Sequence, residues 1–277
     1  TGKTNLIGVI VPKISTETAP RVVQGITEVL SENNYDVLIA NTNLSVEKEF
    51  EYLNIFKNNQ VDGVIFMGTK ITPRHKEIMN KLNVPIVVVA QYMDNYPCVY
   101  HDDFNAAKYM TEYLIGKGHK NIGFIGVYEE DRSVGLEREN GYIAALKEND
   151  LEVDMENLKL GDFSYESGYE LTKKLIKKKN IPTAIFAVTD NLAIATIDCL
   201  KDNGLNVPED VAVVSIGDTR ISQVVSPKLT TIHYHYKTSG RKSAEIMIEL
   251  LKSGIKTSKT IKKDIKLSYR LIERNSV

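Results

Sequence analysis

Two similar α/β lobes, each a doubly wound parallel sheet, are predicted from three features of this sequence. Short Val- and Ile-rich runs alternate with amphipathic stretches, the pattern of a parallel sheet whose two faces are covered by helices. The alternation runs through the chain twice. Short echoes also recur in the same order: "IGVI" at 7–10 returns as "IGFI" at 122–125, "IF" at 65 returns at 185, and "LNVP" at 82 returns at 205. Their offsets of 115, 120 and 123 residues are close enough to indicate a duplicated architecture.

The elements follow in order. "NLIGVIV" is a buried strand, "RVVQGITEVLSENN" a helix, "YDVLIANT" a strand, "VEKEFEYLNIFKNN" a helix and "VDGVIFMG" a strand. "HKEIMNKL" and "VPIVVVAQ" complete the first half as helix and strand. The second half repeats the pattern with strand "KNIGFIGV", helix "RENGYIAALKEND", a short strand "NLKLGD" and helix "YESGYELTKKLIKKK". Strand "PTAIFAVTD", helix "NLAIATIDCLKDNG" and strand "DVAVVSIGD" then lead to "LTTIHYHYK". A last helix, "SGRKSAEIMIELLKSG", and a closing strand, "KLSYRLIERNSV", cannot both belong to one lobe. The chain is therefore expected to cross between lobes three times, near 101–104, 235 and 264. One lobe then comprises residues 4–102 and 236–264, the other 103–235 and 265–277.

Composition narrows the function classes. The 277 residues are 42% hydrophobic and 26% charged, enough for two cored domains. Lys plus Arg number 35 against 36 Asp plus Glu, so the net charge of -1 supplies no electrostatic footprint for nucleic acid or an anionic membrane. Cys98 and Cys199 lack metal or redox spacing and read as reduced residues of a cytoplasmic protein. No apolar run approaches the ~18 residues of a membrane span, and the start has no signal-peptide pattern.

Open parallel sheets bind ligands outside the carboxyl ends of their strands, so two of them side by side should share a ligand cleft. Gly217, Asp218 and Thr219 stand at one such end, in "VVSIGDTRIS".

Other motifs read as ordinary structure. "GKT" at 2–4 precedes a strand, whereas a phosphate loop must follow one. His233 and His235 have no third ligand at metal spacing. Asp102 and Asp103 are neighbours that cannot act as an acid/base pair, and one of them is expected to cap the following helix. Lysines in "KKLIKKK" read as a solvated helix face. With no nucleophile elbow, zinc-protease motif or dinucleotide fingerprint, the chain is read as a non-enzyme without metal or cofactor.

"LIGKGHKNIGFIGV", "RENGYIAAL", "PTAIFAVTDNLAIATIDCLKDNGLNVPEDVAVVSIGDT", "SPKLTTI" and the terminal "LIERNSV" resemble the effector-binding core of the lactose/galactose repressor (LacI/GalR) family. The resemblance spans essentially the whole chain. It implies a periplasmic-binding-protein-like fold, a homodimer, and a sugar or sugar-phosphate effector in the cleft, whose binding closes the lobes like a hinge and shifts operator affinity. The family's helix-turn-helix headpiece, which would contact operator DNA, is expected upstream of Thr1.

Carried over residue by residue, the family's sugar-clamping arginine is Arg138. Lys13 and Ser15 lie in the first loop, where "STETA" replaces the usual aromatics. Gly217 stands where the family's ligand-gripping Asp would be. Losing that carboxylate and gaining Lys13 is similar to the trehalose repressor branch and makes an anionic ligand more plausible, so that a disaccharide or a phosphorylated sugar is expected, while parts of "QVDGVIFMG" and "GDFSYESGYE" are similar to catabolite control proteins. Gln91, Tyr100, Thr189, Asp190, Asp218 and Tyr234 complete the expected cleft wall, with Asp190 also a candidate helix cap. Two alternatives are a transport-type sugar receptor and a regulator core that answers a phosphorylated partner protein.

Overall fold

The computed structural model describes residues 3–255 and 263–277. The chain divides into two compact units, an N-terminal unit of residues 1–101 and 235–268 and a C-terminal unit of residues 102–234 and 269–277.

In the N-terminal unit the elements are β1 (Leu6–Val11), α1 (Thr18–Glu32), β2 (Asp36–Asn41), α2 (Val46–Asn58), β3 (Gly63–Phe66), α3 (Pro73–Asn80), β4 (Ile86–Val89) and β5 (Cys98–His101). The C-terminal unit contains α4 (Asp103–Gly116), β6 (Ile122–Val127), α5 (Arg138–Glu148), β7 (Leu158–Gly161), α6 (Tyr165–Ile176), β8 (Ala184–Ala187), α7 (Asp190–Asp202), β9 (Ala212–Gly217) and β10 (Thr230–Tyr234). The chain then returns to the first unit for α8 (Tyr236–Lys252) and β11 (Asp264–Leu267), and ends in the second with β12 (Tyr269–Ile272).

The sheets have matching strand orders, β11-β5-β4-β3-β1-β2 and β12-β10-β9-β8-β6-β7. The first is parallel throughout, while in the second β12 pairs antiparallel with β10. Connections leave β1 in one direction and β3 in the other, so each sheet has a topological switch point, between β1 and β3 and between β6 and β8.

Alternation along β1 shows why helices cover both faces. Ile7, Val9 and Val11 pack with Val22 and Ile26 of α1 and Met247 of α8, whereas Ile10 joins Leu53 and Phe56 of α2 and Met79 of α3. Gly25 and Gly240 bring α1 and α8 into backbone contact; a Cβ at either would overlap a carbonyl of the other helix, that of Lys237 or of Val22. In the C-terminal unit Phe124 stacks on Tyr142 of α5 at 4.8 Å and meets Phe186 edge-on at 5.4 Å.

Three local expectations need correction. The closing stretch "KLSYRLIERNSV" forms two strands rather than one, divided at Ser268, so β11 completes the first sheet and β12 the second. Asp102 occupies the N-cap position of α4, but its Oδ2 accepts from the Asn105 side chain at 2.9 Å and makes no side-chain cap bond. The cap of α7 is Thr189, whose hydroxyl accepts from the Leu192 amide at 3.3 Å, which frees Asp190 for another role. Gly2 of "GKT" lies outside the described residues, and Thr4 hydrogen-bonds to Gln60 and Asp62.

Candidate functional site

The C-terminal unit gathers Arg138, Asp103 and Tyr234 at the carboxyl edge of its sheet. Arg138 Nε donates to Asp103 Oδ1 at 2.7 Å, and its Nη1 donates to the Val188 carbonyl just beyond β8. Tyr234 donates its hydroxyl to Asp103 Oδ1 at 3.0 Å, and its ring centroid lies 5.3 Å from the guanidinium carbon. Arg138 is 4% exposed and Asp103 6%, so both charges are out of water and held by each other. Burial raises the Asp103 carboxyl above its ordinary range, against the lowering pull of Arg138 and Tyr234.

Arg138 is delivered by an unusual segment. Residues Arg132–Glu137 form a π-helix between β6 and α5, a rare geometry that often marks functional positions. Asp131 caps it, accepting from the Val134 amide at 2.9 Å, and Gly135 lies so close to the Tyr128 carbonyl that a Cβ would overlap it. Burial pushes the Asp131 carboxyl up to about 6. The π-helix turns Arg138 toward the β6/β8 switch point, where Val188 receives it.

Asp190 acts as a clamp. Its Oδ1 accepts from Ser215 Oγ at 2.5 Å and Thr231 Oγ1 at 2.9 Å, and its Oδ2 from the Thr219 amide at 2.6 Å and Thr219 Oγ1 at 2.7 Å. Four donors match the acceptor capacity of a carboxylate, so Asp190 positions the ends of β9 and β10. Asp218 is likewise engaged, by Arg274 Nη2 at 2.5 Å and His233 Nδ1 at 2.8 Å. Burial pushes its carboxyl up, but Arg274 and His233 together hold it below the ordinary range. Among the described residues no cluster of three or more His, Cys, Asp or Glu could hold a metal.

The other expected site residues lie in the N-terminal unit. Half-buried Lys13 and exposed Ser15 follow β1 at the β1/β3 switch point. Gln91 is 4% exposed and donates from Nε2 to the carbonyls of Gly68 at 2.8 Å and Thr69 at 2.5 Å, bracing the loop after β3. Tyr100 lies on β5 with its ring edge-on to Tyr92 at 5.6 Å. A second brace on that loop was missed by sequence reasoning: Glu49 Oε1 accepts from the Thr69 amide at 3.1 Å while its Oε2 pairs with His75 Nε2 at 2.7 Å, both side chains fully buried. The π-helix, Asp131 and Arg274 were missed as well. No residue-type signal marks a π-helix, and Arg274 was visible only as part of "LIERN".

Both cysteines are buried, and burial pushes the Cys98 thiol up to about 12 and that of Cys199 to about 11. Separately, a cavity of about 470 Å³ is lined by Tyr128, Glu129, Glu130 and Leu160 and by none of the residues expected to bind effector.

Comparison with known proteins places these features in a family. A family described as a periplasmic binding protein-like domain matches residues 111–277. Catabolite control protein A of Priestia megaterium is 36% identical over 232 residues, 83% of this chain and 70% of that protein. The sucrose operon repressor of Staphylococcus xylosus is 29% identical over 253 residues, 91% of this chain and 78% of the repressor. A LacI family transcriptional regulator from Enterococcus faecium, solved with bound ribose, superimposes with a TM-score of 0.84 at 25% identity, covering 98% of both chains.

Proposed function

Because this chain belongs to the LacI family of transcriptional regulators, with a periplasmic binding protein-like domain, we propose that it is the effector-sensing and dimerisation core of a cytoplasmic sugar-responsive repressor. Members of this family bind operator DNA and small-molecule effectors and are not enzymes. No helix among the described residues is long and apolar enough to cross a membrane.

The observation that carries the reading is Arg138 at the β6/β8 switch point. Its guanidinium is held in one plane by Asp103, Val188 and Tyr234, and a planar fork held that way recognises paired hydroxyls or a phosphate. The ribose bound by the relative of known structure supports a saccharide as the effector. Thr189, Asp190, Asp218 and Tyr234 shape the same edge, Asp190 and Asp218 by positioning. Lys13, Ser15, Gln91 and Tyr100, in the N-terminal unit, are the residues proposed to contact effector from that unit's own sheet edge. The effector shifts operator affinity through its differential affinity for two states, a coupling of ~1–3 kcal/mol.

Two exposed apolar surfaces support a homodimer. In the N-terminal unit, edge strand β2 exposes Leu38 and Ile39; in the C-terminal unit, the turn after β9 exposes Ile221 and Val224, the latter at 71%.

Thermal-shift titration with ribose, sucrose, trehalose and glucose tests the effector. A specific sugar at about 100 times its Kd stabilises the core by ~2.7 kcal/mol. Arg138→Ala abolishes that shift, and a sugar response unchanged in Arg138→Ala overturns the site.

A further inference from the structure

We propose that the carboxyl edge of the C-terminal unit's sheet is a charge filter, in which Asp103 and Asp131 are specificity-determining residues that admit an uncharged polyhydroxyl effector and reject its phosphorylated analogue. This deepens the saccharide reading and rests on it. Of the two effectors expected from the sequence, a neutral sugar and a phosphorylated one, it selects the neutral sugar.

Most charges at this edge already have partners. The guanidinium of Arg138 is compensated by Asp103 at 2.7 Å, both side chains being buried. Arg274 is compensated by Asp218 at 2.5 Å. Two further carboxylates stand at the same edge. Asp190 is met by four donors, all of them neutral hydroxyls or an amide, and Asp131 caps the π-helix within electrostatic reach of Asp103 and Arg138. Glu137, which also acts on Asp103, is turned to Arg132 at 3.4 Å. Counting Arg220, which follows Thr219 in the turn after β9, the sum at this edge is one negative charge, and Asp131 is a carboxylate left without a paired cation among the described residues.

In this unit the helix N-termini, the usual alternative for binding phosphate, already carry the protein's own acidic residues or capping hydroxyls. The first turn of α4 holds Asp103, the π-helix has Asp131, α6 has the Ser164 hydroxyl accepting from the Ser167 amide, and α7 has Thr189 together with Asp190. A phosphate bringing a charge of about -1.5 to -2 would enter beside buried carboxylates, and the helix ends of this unit already carry acidic residues in their first turns. Sugar hydroxyls face no such conflict, since each can donate to a carboxylate and accept from a guanidinium. The upward push on the Asp103 and Asp131 carboxyls agrees with a site short of positive charge.

The test is calorimetric titration of the dimeric core at neutral pH with glucose and trehalose, each against its 6-phosphate. The wild-type protein is expected to bind the neutral sugar at least about tenfold more tightly, a difference of ~1.4 kcal/mol. Asp131→Asn keeps an oxygen for the Val134 amide and is expected to close most of that gap by strengthening phosphate binding. Asp103→Asn serves as the second variant where its melting curve shows it folded. A wild-type preference for the phosphate, lost in Lys13→Ala, overturns the charge filter and leaves the saccharide reading standing. An unchanged ratio in Asp131→Asn overturns the filter too. Binding of neither sugar form overturns the saccharide reading and the filter with it.

Discussion

Gly217 and Asp190 occupy a single space at the end of β9: a Cβ built on Gly217 would lie 2.9 Å from Asp190 Oδ2 and 3.0 Å from its Cγ. Gly217 therefore leaves room for a carboxylate that arrives from α7. Gly217→Ala is expected to push Asp190 off Thr219 and to cost ~1–3 kcal/mol, the range for overpacking a filled site. Urea unfolding of the two proteins measures it, and equal midpoints would mean that Asp190 can move freely.

Arg138 combines a binding role with a structural one. In Arg138→Ala the Asp103 carboxylate stays buried without its cation, a loss of ~3–5 kcal/mol. Adding Asp103→Ala removes the stranded charge and is expected to recover part of that stability without restoring sugar binding. A double-mutant cycle in denaturant separates the two effects, and strict additivity would show that the pair is not coupled.

The Asp131 carboxyl titrates at about 6 in the folded chain, above the ~3.9 of an unfolded one. The folded state therefore holds the proton more tightly, and this group's contribution is present at low pH and lost as pH rises from about 4 through about 6. With solvent screening of a half-buried group, the loss is on the order of 1–2 kcal/mol. Asp218, held low by Arg274 and His233, has the opposite sign, its stabilisation being lost as pH falls through its folded pKa. Unfolding measured across this range in wild type and Asp131→Asn isolates the first contribution, which should vanish in the variant.

Val224→Asp places a charge on the most exposed apolar side chain of the turn after β9. Sedimentation equilibrium is expected to show weakened self-association with an unchanged melting temperature for the isolated fold. A dimer of undiminished affinity would remove this turn from the interface.

His75→Ala strands Glu49, which is fully buried, and is expected to cost ~3–5 kcal/mol. Because Glu49 also holds Thr69, increased proteolytic cleavage near residues 67–72 should accompany the loss. Destabilisation without new cleavage would confine the pair to packing α2 against α3.

The repeated α/β pattern was legible because its signal is local: buried parallel strands such as Val87–Val89 are apolar on both faces, and their helices show periodic stripes. The division of "KLSYRLIERNSV" was not, since Ser268 carries none of the Gly or Pro punctuation that marks a break and only pairing with β5 and β10 reveals it. Arg138 was located through a motif, yet its partner Asp103 lies 35 residues away and had been read as a possible cap. Asp190 shows the limit most clearly. Its position at a strand end suggested a ligand contact, but its four donors come from three other positions, Ser215, Thr219 and Thr231, none adjacent to it in sequence.

The contact of α1 with α8 across Gly25 and Gly240 bears on how the chain is made. Roughly 200 residues separate the end of α1 from the start of α8, so at ~5–20 residues per second α1 leaves the ribosome about 10–40 seconds before the helix that covers its glycine face. The C-terminal unit reaches Tyr234 before α8 exists, lacking only β12, whereas the N-terminal unit waits for a segment made after nearly the whole of its neighbour. The half of the molecule synthesised first is thus completed late, and during that interval the apolar stripe of Val22, Ile26 and Val29 is the surface a nascent-chain chaperone would meet.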